Sequence, residues 1–321
     1  MEASGRISRQ SWRYRNWMAA VLLFLATATV VIWQNSRLAV LWDLSYILEN
    51  SYRISLGEVP YRDFPLAHAP LTFLIQAMLI KFTGRVFFHH VLYCAAVGGL
   101  ATVLTWRILW NLLDGAVDSA WWMAFLLSVP VSVLGIYCIF PHPFYDPDCT
   151  FAILVCIFFL QGLDRKGLRP VRAFLTGMVL VVPLFAKQNT GLAFLGSTAV
   201  MLALLIGFDV RRGRPVAGYL WLMAGLGTAL ASALLLIDLT VGLANYVHWT
   251  MQYAASRRMP RLADILSVYQ EHLEPPWWVA AFVGGALLRW LNRRGTRGLA
   301  LLSSSLMSLP FGWMFIFQFT G

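Results

Sequence analysis

The sequence predicts an all-α polytopic membrane protein, and three observations point to this fold class. Hydrophobic residues make up 59% of the 321 residues and charged residues only 12%, whereas soluble domains carry about 25% charged residues. Long apolar runs alternate with short loops that hold most of the charges. Basic residues are concentrated in alternate loops, as expected of a chain that crosses a bilayer repeatedly. Loop orientation therefore explains the net charge of +10, and no nucleic-acid partner is expected.

Nine apolar segments are predicted to be membrane-spanning helices, because each approaches the ~20 residues that a helix needs to cross the hydrocarbon core. They are residues 17–34, 86–108, 119–139, 148–163, 171–186, 190–208, 216–237, 276–291 and 298–318. A further apolar segment, 69–83, is shorter than a typical span and contains Gln76 and Lys81. Its position relative to the membrane has to be decided from the charges around it.

The distribution of Lys and Arg decides the status of segment 69–83. If it does not cross, 16 basic residues and five acids share the side of the N-terminus, and nine basic residues and ten acids lie opposite. If it crossed, the basic N-terminus would face away from the three other strongly basic loops. The positive-inside rule therefore predicts nine spans, a cytoplasmic N-terminus and an interfacial helix at 69–83. Residues 35–85, 140–148, 238–275 and Lys187 then face one outer compartment.

The first outer loop carries a dense polar pattern. Residues 42–56 contain few helix breakers and precede Gly57, a favourable residue just beyond a helix C-terminus. Four polar residues at spacings of three and four share one face of this predicted interfacial helix: Asp43, Tyr46, Asn50 and Arg53. Asp43 is a candidate for binding or catalysis at the membrane surface, or an N-cap of a solvated helix. Further along, Asp63 and His68 are candidate site residues, although Asp63 beside Arg62 also fits a local ion pair.

Three other outer segments hold candidate residues. The second outer loop contains Tyr145, Asp146 and Asp148, of which Asp148 is also a candidate N-cap. Two acidic clusters on one side of a membrane can converge on a substrate hydroxyl or on a metal. Lys187 and Gln188 separate two spans, where a lysine either extends to water or binds phosphate. Arg257 and Arg258 are unusual on an outer side, and fit either an anionic partner or interfacial anchoring.

Taken in order, these residues resemble the GT-C superfamily of glycosyltransferases, which includes protein O-mannosyltransferases and lipid A aminoarabinose transferases. The family pattern Asp-x-x-Tyr, Gly-x-x-Pro-Tyr-x-Asp and His-x-Pro-Leu matches Asp43, Tyr46, Gly57, Pro60, Tyr61, Asp63, His68, Pro70 and Leu71. Its second acidic loop matches residues 145–148, its lysine after the fifth span matches Lys187, and its aromatic and basic run resembles 245–258. The likeness extends over the whole chain.

The resemblance implies a single GT-C-like domain over residues 1–321, in which the 35–85 loop is catalytic. The implied activity moves a sugar from a polyprenyl-phosphate donor to a hydroxyl of a glycan, lipid or protein acceptor at the outer face of a bacterial inner membrane. Asp43 would be the general base and Lys187 would stabilise the leaving phosphate. The other candidates would bind substrate: Tyr46, Asp63, His68, Tyr145, Asp146, Asp148, Gln188, Arg257 and Arg258.

The metal requirement and the functional class stay open at this point. If a metal is used, Mg²⁺ or Mn²⁺ held by Asp43 and Asp148 is the expectation, but Leu44 after Asp43 is more typical of metal-independent members of the family. Relatives usually have more spans, so the chain is expected to be a minimal or truncated version. The alternative function is a transporter or flippase of a lipid-linked or anionic solute. Transporters tend to carry ionisable residues at the membrane midplane, whereas here they lie at the outer edges.

Overall fold

The computed structural model describes residues 2–37, 41–115, 117–253, 256 and 275–291. This part of the chain is helical and forms no β-strand. In chain order the helices are α1 (Glu2–Asn35), α2 (Leu41–Ser55), α3 (Leu71–Thr83), α4 (Phe87–Leu113), α5 (Ala120–Ser128), α6 (Val131–Leu134), α7 (Tyr145–Lys166), α8 (Pro170–Val179), α9 (Val182–Ala186), α10 (Gln188–Arg211), α11 (Ala217–Val241), α12 (Leu243–Val247), a π-helical turn (His248–Gln252) and α13 (Pro275–Leu291). The predicted all-α class is thus confirmed for the described residues.

Several helices are long and apolar enough to cross a bilayer, which fits a multi-pass membrane protein. By length and composition there are five among the described residues: Tyr14–Asn35, Phe87–Leu113, Tyr145–Lys166, Gln188–Arg211 and Ala217–Val241. Shorter apolar helices cover Leu71–Thr83, Ala120–Leu134, Pro170–Ala186 and Val279–Trp290. The predicted ninth span, 298–318, lies outside the described residues.

Two predicted spans are interrupted by proline. The segment predicted as 119–139 ends its first helix at Ser128 and resumes only briefly after Pro130. The segment predicted as 171–186 is divided into α8 and α9 just before Pro183. Proline has no backbone N–H and its ring crowds the preceding turn, so an uninterrupted helix is disfavoured. At the second break the thiol of Cys156 lies 3.3 Å from the carbonyl oxygen of Val179 and replaces part of the lost hydrogen bonding.

The two helices of the first outer loop form where the sequence places them. The α2 helix ends before Gly57, whose φ of +99° is a conformation that glycine adopts without strain. The backbone N–H of Glu58 donates to the carbonyl of Arg53 at 3.1 Å, the closing bond of a Schellman C-cap. The 13 residues of α3 extend about 20 Å, short of the ~30 Å hydrocarbon core. Helices α2 and α3 pack against each other.

Close helix packing holds the longer helices together. Helix α1 lies along α4, where the buried hydroxyls of Thr27 and Thr102 are hydrogen bonded at 2.9 Å. Gly99 of α4 lies against the ring of Phe24, so that a Cβ atom added there would stand 2.6 Å from it. Helices α8 and α11 pack in the same way through glycine at the contact. Small residues at such contacts let helix backbones approach closely in a membrane.

Contacts between elements define two opposite ends of the bundle. At one end, Asn35 donates to the carbonyl of Pro141 at 2.6 Å, and α7 begins beside the α9–α10 junction. We call this the site end; it comprises Asn35, residues 43–70, 137–148, 187–190 and 246–253. At the other end, Trp121 donates to Asn16 at 2.7 Å and Arg165 pairs with Asp114 at 2.5 Å. We call this the basic end, because it carries Arg15, Arg107, Arg165 and the basic loop that follows α10.

Candidate functional site

Lys187 lies at the junction of α9 and α10 and is the N-cap residue of α10. Its backbone is extended, and its own side chain makes no cap hydrogen bond to the first turn of the helix. The first backbone N–H groups of the helix place the positive end of the helix dipole beside Lys187. The Lys187 side chain is only 9% exposed and forms an ion pair with Asp146 of α7. A nearly buried ammonium at the start of a 24-residue helix favours an anion.

Aromatic rings surround the ammonium group of Lys187. Its Nζ atom lies 5.4 Å from the ring centre of Tyr145, and Tyr145 stacks on His68 with ring centres 4.3 Å apart. The hydroxyl of Tyr46 lies 3.3 Å from Nδ1 of His68. Burial raises the pKa of Tyr46 above its ordinary value, so the phenol stays protonated at neutral pH. The structure thus brings together residues from the first outer loop, α7 and the start of α10.

Asp43 is the exposed carboxylate of this region. It is the third residue of α2, inside the first turn, so the alternative prediction of an N-cap is wrong. Among the described residues it has no hydrogen-bond partner, but its charge acts on His142. The ring of His142 lies 6.1 Å from that of Phe144, which in turn stacks on Tyr145 at 4.4 Å. A continuous row of rings therefore connects the surroundings of Asp43 with those of Lys187.

His142 is a site residue that the sequence-based selection missed. It is 2% exposed, and its Nδ1 atom is buried without a hydrogen-bond partner among the described residues. Burial lowers its pKa, and the nearby charge of Asp43 opposes that effect. The available signal was its position between two prolines, Pro141 and Pro143. Such a segment cannot continue a helix, so it turns back towards the end of the bundle.

Asp148 lies on the same helix as Asp146 but in a different environment. It is 6% exposed and accepts hydrogen bonds from three hydroxyl groups. Tyr137 and Tyr93 donate to Oδ1 at 2.6 and 2.7 Å, and Thr72 donates to Oδ2 at 2.7 Å. It is the fourth residue of α7, so the alternative prediction of an N-cap is also wrong here. The arrangement gives Asp148 a role in joining α3, α4 and α7, and its predicted part in substrate binding stays a prediction.

Gln188 and Asp63 also make contacts that organise the loops. The amide of Gln188 accepts from Ala69 N–H at 2.9 Å, and donates to the carbonyls of Ala67 at 2.9 Å and Thr250 at 3.3 Å. It thereby attaches the first outer loop and the segment after α12 to the start of α10. Asp63 accepts from the backbone N–H of Val59 at 2.7 Å and forms the predicted ion pair with Arg62. These two contacts lower the pKa of Asp63 below its ordinary value.

The 57–70 loop is shaped by one strained residue. Tyr61 has a φ of +67°, a region in which non-glycine residues are uncommon. The strain is compensated because its ring is 4% exposed in an apolar core with Phe64 and Leu66. Its hydroxyl donates to the backbone carbonyl of His68 at 2.7 Å. This bond fixes the segment that presents the His68 ring to Tyr145.

The structure does not describe the predicted arginine pair, and the residues that it does describe contain no cluster of metal ligands. Arg257 and Arg258 lie outside the described residues. In the described part of the chain no group of three or more His, Cys, Asp or Glu side chains could hold a metal ion. In the pair suggested for a metal, Asp43 and Asp148, both oxygens of Asp148 accept hydrogen bonds from hydroxyl groups. Metal binding by this pair stays a prediction.

Comparison with known proteins identifies no relative. No family model, no curated protein and no solved structure matches the chain. The resemblance to the GT-C glycosyltransferases therefore remains one of short motifs and their order. The function has to be argued from the chemistry of the site end.

Proposed function

We propose that the chain is a membrane-embedded glycosyltransferase that uses a polyprenyl-phosphate sugar as donor and a hydroxyl group as acceptor. The observation that carries this proposal is that one end of the bundle holds both an exposed carboxylate, Asp43, without a hydrogen-bond partner among the described residues, and a nearly buried cation, Lys187. A base for an acceptor hydroxyl and a cation for a leaving phosphate are the two groups that such a transfer needs.

The proposed transfer proceeds in one displacement. Asp43 takes the proton of the acceptor hydroxyl, and its oxygen must come within about 3 Å of that group. The acceptor oxygen bonds to C1 of the sugar on the face opposite the phosphate, while the bond between C1 and the phosphate oxygen breaks. The electron pair of that bond goes to the lipid phosphate, and the configuration at C1 is inverted. Lys187 and the N-terminal amides of α10 stabilise the charge that develops on the phosphate.

The ion pair of Lys187 with Asp146 bears directly on donor binding. Asp146 is 42% exposed on its side chain, whereas Lys187 is 9% exposed. A phosphate that approaches Lys187 therefore meets the carboxylate at the water-facing side of the ammonium. Phosphate and Asp146 would then share or compete for the same three N–H donors. The proposed mechanism uses side chains and backbone amides of the chain itself, and no step depends on a metal.

The membrane arrangement that goes with this proposal has nine spans and a cytoplasmic N-terminus, with the site end in the periplasm of a bacterium. It is supported by the positive-inside rule and by the separation of the site end from the basic end. The polyprenyl chain would lie between the spans. Cysteine introduced at Glu58 or at Arg172 distinguishes the two sides. In intact spheroplasts, whose periplasmic face points outwards, a membrane-impermeant maleimide should label position 58 and not position 172.

The direct test uses purified protein in liposomes with radiolabelled polyprenyl-phosphate sugars and a mixture of acceptor hydroxyls. Asp43→Asn should abolish product formation, because the amide cannot take the proton. Lys187→Met should reduce it by about a hundredfold or more, the size found when one transition-state donor is removed. Glu49→Gln, an exposed acid on the same helix, is the matched control and should retain activity.

Three outcomes would contradict the proposal. Asp43→Asn with activity within a few-fold of wild type would remove Asp43 from the role of base. Label that moves between leaflets without a glycosylated product would indicate the alternative, a transporter or flippase. Position 58 and position 172 labelled from the same side would remove the membrane arrangement on which the donor geometry depends.

A further inference from the structure

The basic end contains a cluster of tryptophan rings and guanidinium groups that the proposed transfer does not use. Trp106 and Trp110 stack with ring centres 5.7 Å apart, and Trp121 meets Trp106 edge-on at 5.9 Å. The guanidinium carbon of Arg107 lies 4.6 Å from the ring centre of Trp110 and 5.7 Å from that of Trp106. Arg15 of α1 lies 4.4 Å from the ring centre of Trp121. We call these five residues the Trp–Arg cluster.

Arg107 is the member of the cluster that lacks an acidic partner. Its neighbour Arg165 pairs with Asp114 at 2.5 Å and donates to Asn111. No carboxylate pairs with Arg107 among the described residues, and the charge that acts on it is the guanidinium of Arg165, which repels it. Arg107 is also half-buried. A partly desolvated guanidinium beside a like charge is unfavourable, and stacking on aromatic rings compensates only in part.

The position of Arg107 along α4 indicates which anion would bind. It is 20 residues after Phe87, the first residue of the helix, and this distance corresponds to about 30 Å, the thickness of the hydrocarbon core. Arg107 therefore lies at the level of the lipid headgroups when α4 crosses the bilayer. Tryptophan is enriched at this level, and Trp17 and Trp122 nearby are 70% and 54% exposed. The guanidinium fork matches the geometry of a phosphate group.

We propose that Arg107 binds the phosphate of an anionic phospholipid headgroup at the basic end. The positive charge of Arg107, which no carboxylate among the described residues pairs with, favours a lipid with a net negative charge over a zwitterionic one. The acyl chains of that lipid would lie along the exposed apolar face of α5, which includes Trp122, Leu126 and Leu127. This site is separate from the site end, so its test does not depend on the proposed sugar transfer.

Native mass spectrometry of the purified, delipidated full chain measures the binding. Dioleoyl-phosphatidylglycerol should bind more tightly than dioleoyl-phosphatidylcholine by about tenfold, the scale of one charge-assisted contact. Arg107→Gln should remove that difference. Arg172→Gln is the matched control, because Arg172 is an exposed arginine near the same end; it should change binding by less than about twofold. Arg107→Lys keeps the charge but not the guanidinium fork, and its affinity for the anionic lipid should be about threefold lower.

Melting temperatures without added lipid show whether Arg107→Gln is folded, and Trp110→Leu provides a second test if it is not. Trp110→Leu keeps the guanidinium and removes its stacking partner, and should also weaken binding of the anionic lipid. Equal binding of both lipids by the wild type would overturn the proposal, as would unchanged preference in Arg107→Gln or Trp110→Leu. Binding of inorganic phosphate at low millimolar concentration, with no preference for the lipid, would show that the site takes a free anion instead.

Discussion

Replacing Asp148 by alanine removes the one carboxylate that accepts hydrogen bonds from Thr72, Tyr93 and Tyr137. The three donors come from α3, from α4 and from the segment after α6, and they meet at a residue that is 6% exposed. Thr72 and Tyr137 are 0% and 2% exposed, and Tyr93 is half-buried. The substitution therefore leaves two buried hydroxyl donors and one half-buried donor without this acceptor, in addition to a small cavity.

The size of the effect follows from these contacts. A hydrogen bond contributes about 1 kcal/mol to stability, and about 1.5–3 kcal/mol where one partner is charged. The cost of losing all three hydrogen bonds is less than the sum of the single costs, because the freed hydroxyl groups can reorient towards other partners. We expect Asp148→Ala to lower the free energy of unfolding by about 3–5 kcal/mol. Each single removal of a donor, Tyr93→Phe, Tyr137→Phe or Thr72→Val, should cost about 1–2 kcal/mol.

The assay is reversible unfolding of the purified chain in mixed micelles, followed by tryptophan fluorescence or by circular dichroism. Tyr52→Phe is the control, since the Tyr52 hydroxyl makes only a 3.4 Å contact with Arg85 at the surface. Its free energy of unfolding should lie within about 0.5 kcal/mol of that of the wild type. A double variant, Asp148→Ala with Tyr137→Phe, should be little worse than Asp148→Ala alone, because the two groups lose the same interaction.

One result would refute this reasoning. If Asp148→Ala unfolds within about 1 kcal/mol of wild type, the carboxylate does not hold these helices together. If that variant were in addition inactive in sugar transfer, Asp148 would instead belong to the substrate site, as the sequence alone predicts. Stability and activity therefore have to be measured on the same preparation.

Three further predictions concern other contacts. Gln188→Leu should lower the free energy of unfolding by about 2–3 kcal/mol. Gln188→Glu should lower it by at least as much, because its carboxylate keeps the acceptor for Ala69 N–H but faces the carbonyl oxygens of Ala67 and Thr250; chemical unfolding of both variants checks this. Asp63 has a lowered pKa, so its contribution to stability is present above the ordinary pKa of about 4 and is lost as the pH falls through its folded pKa; melting temperatures of wild type and Asp63→Asn should differ at pH 7 and converge at low pH. Gly225→Ala should lower the free energy of unfolding by about 1–3 kcal/mol, since its Cβ would overlap the carbonyl of Phe174. Gly227→Ala on the same helix meets open space and should leave stability unchanged. Equal melting temperatures for the two variants would contradict the close packing of α8 and α11.

Helix positions were predictable because their signals are local. The span predicted at 148–163 is part of α7, Tyr145–Lys166, and the one at 216–237 is part of α11, Ala217–Val241. Runs of apolar residues determine such segments whatever their neighbours are. The end of α2 was predictable as well, since Gly57 supplies the conformation that a helix C-terminus requires. Proline breaks were visible in the sequence, but an apolar run was predicted to continue through them.

The roles of the acidic residues depended on tertiary contacts. Asp146 and Asp148 are two residues apart and equally acidic in the sequence, yet one pairs with Lys187 and the other is enclosed by hydroxyl groups. The donors to Asp148 include Thr72 and Tyr93, which are 76 and 55 residues away along the chain. No local pattern specifies partners at such separations. For the same reason His142 gave little indication that it would be buried near Asp43.

The sequence by itself determined that this chain is an all-α membrane protein and which segments are helical, because composition and apolar runs act through the solvent and the local backbone. Its charge distribution also predicts that the loops around 35–85, 140–148, 187 and 238–275 share one side of the membrane. Only the tertiary structure decided which polar side chains meet: Lys187 with Asp146, Asp148 with three hydroxyl groups, and Arg107 with tryptophan rings but, in the part of the chain that the structure describes, with no carboxylate. Those outcomes depend on the packing of helices that are distant in sequence, and packing is a property of the whole bundle.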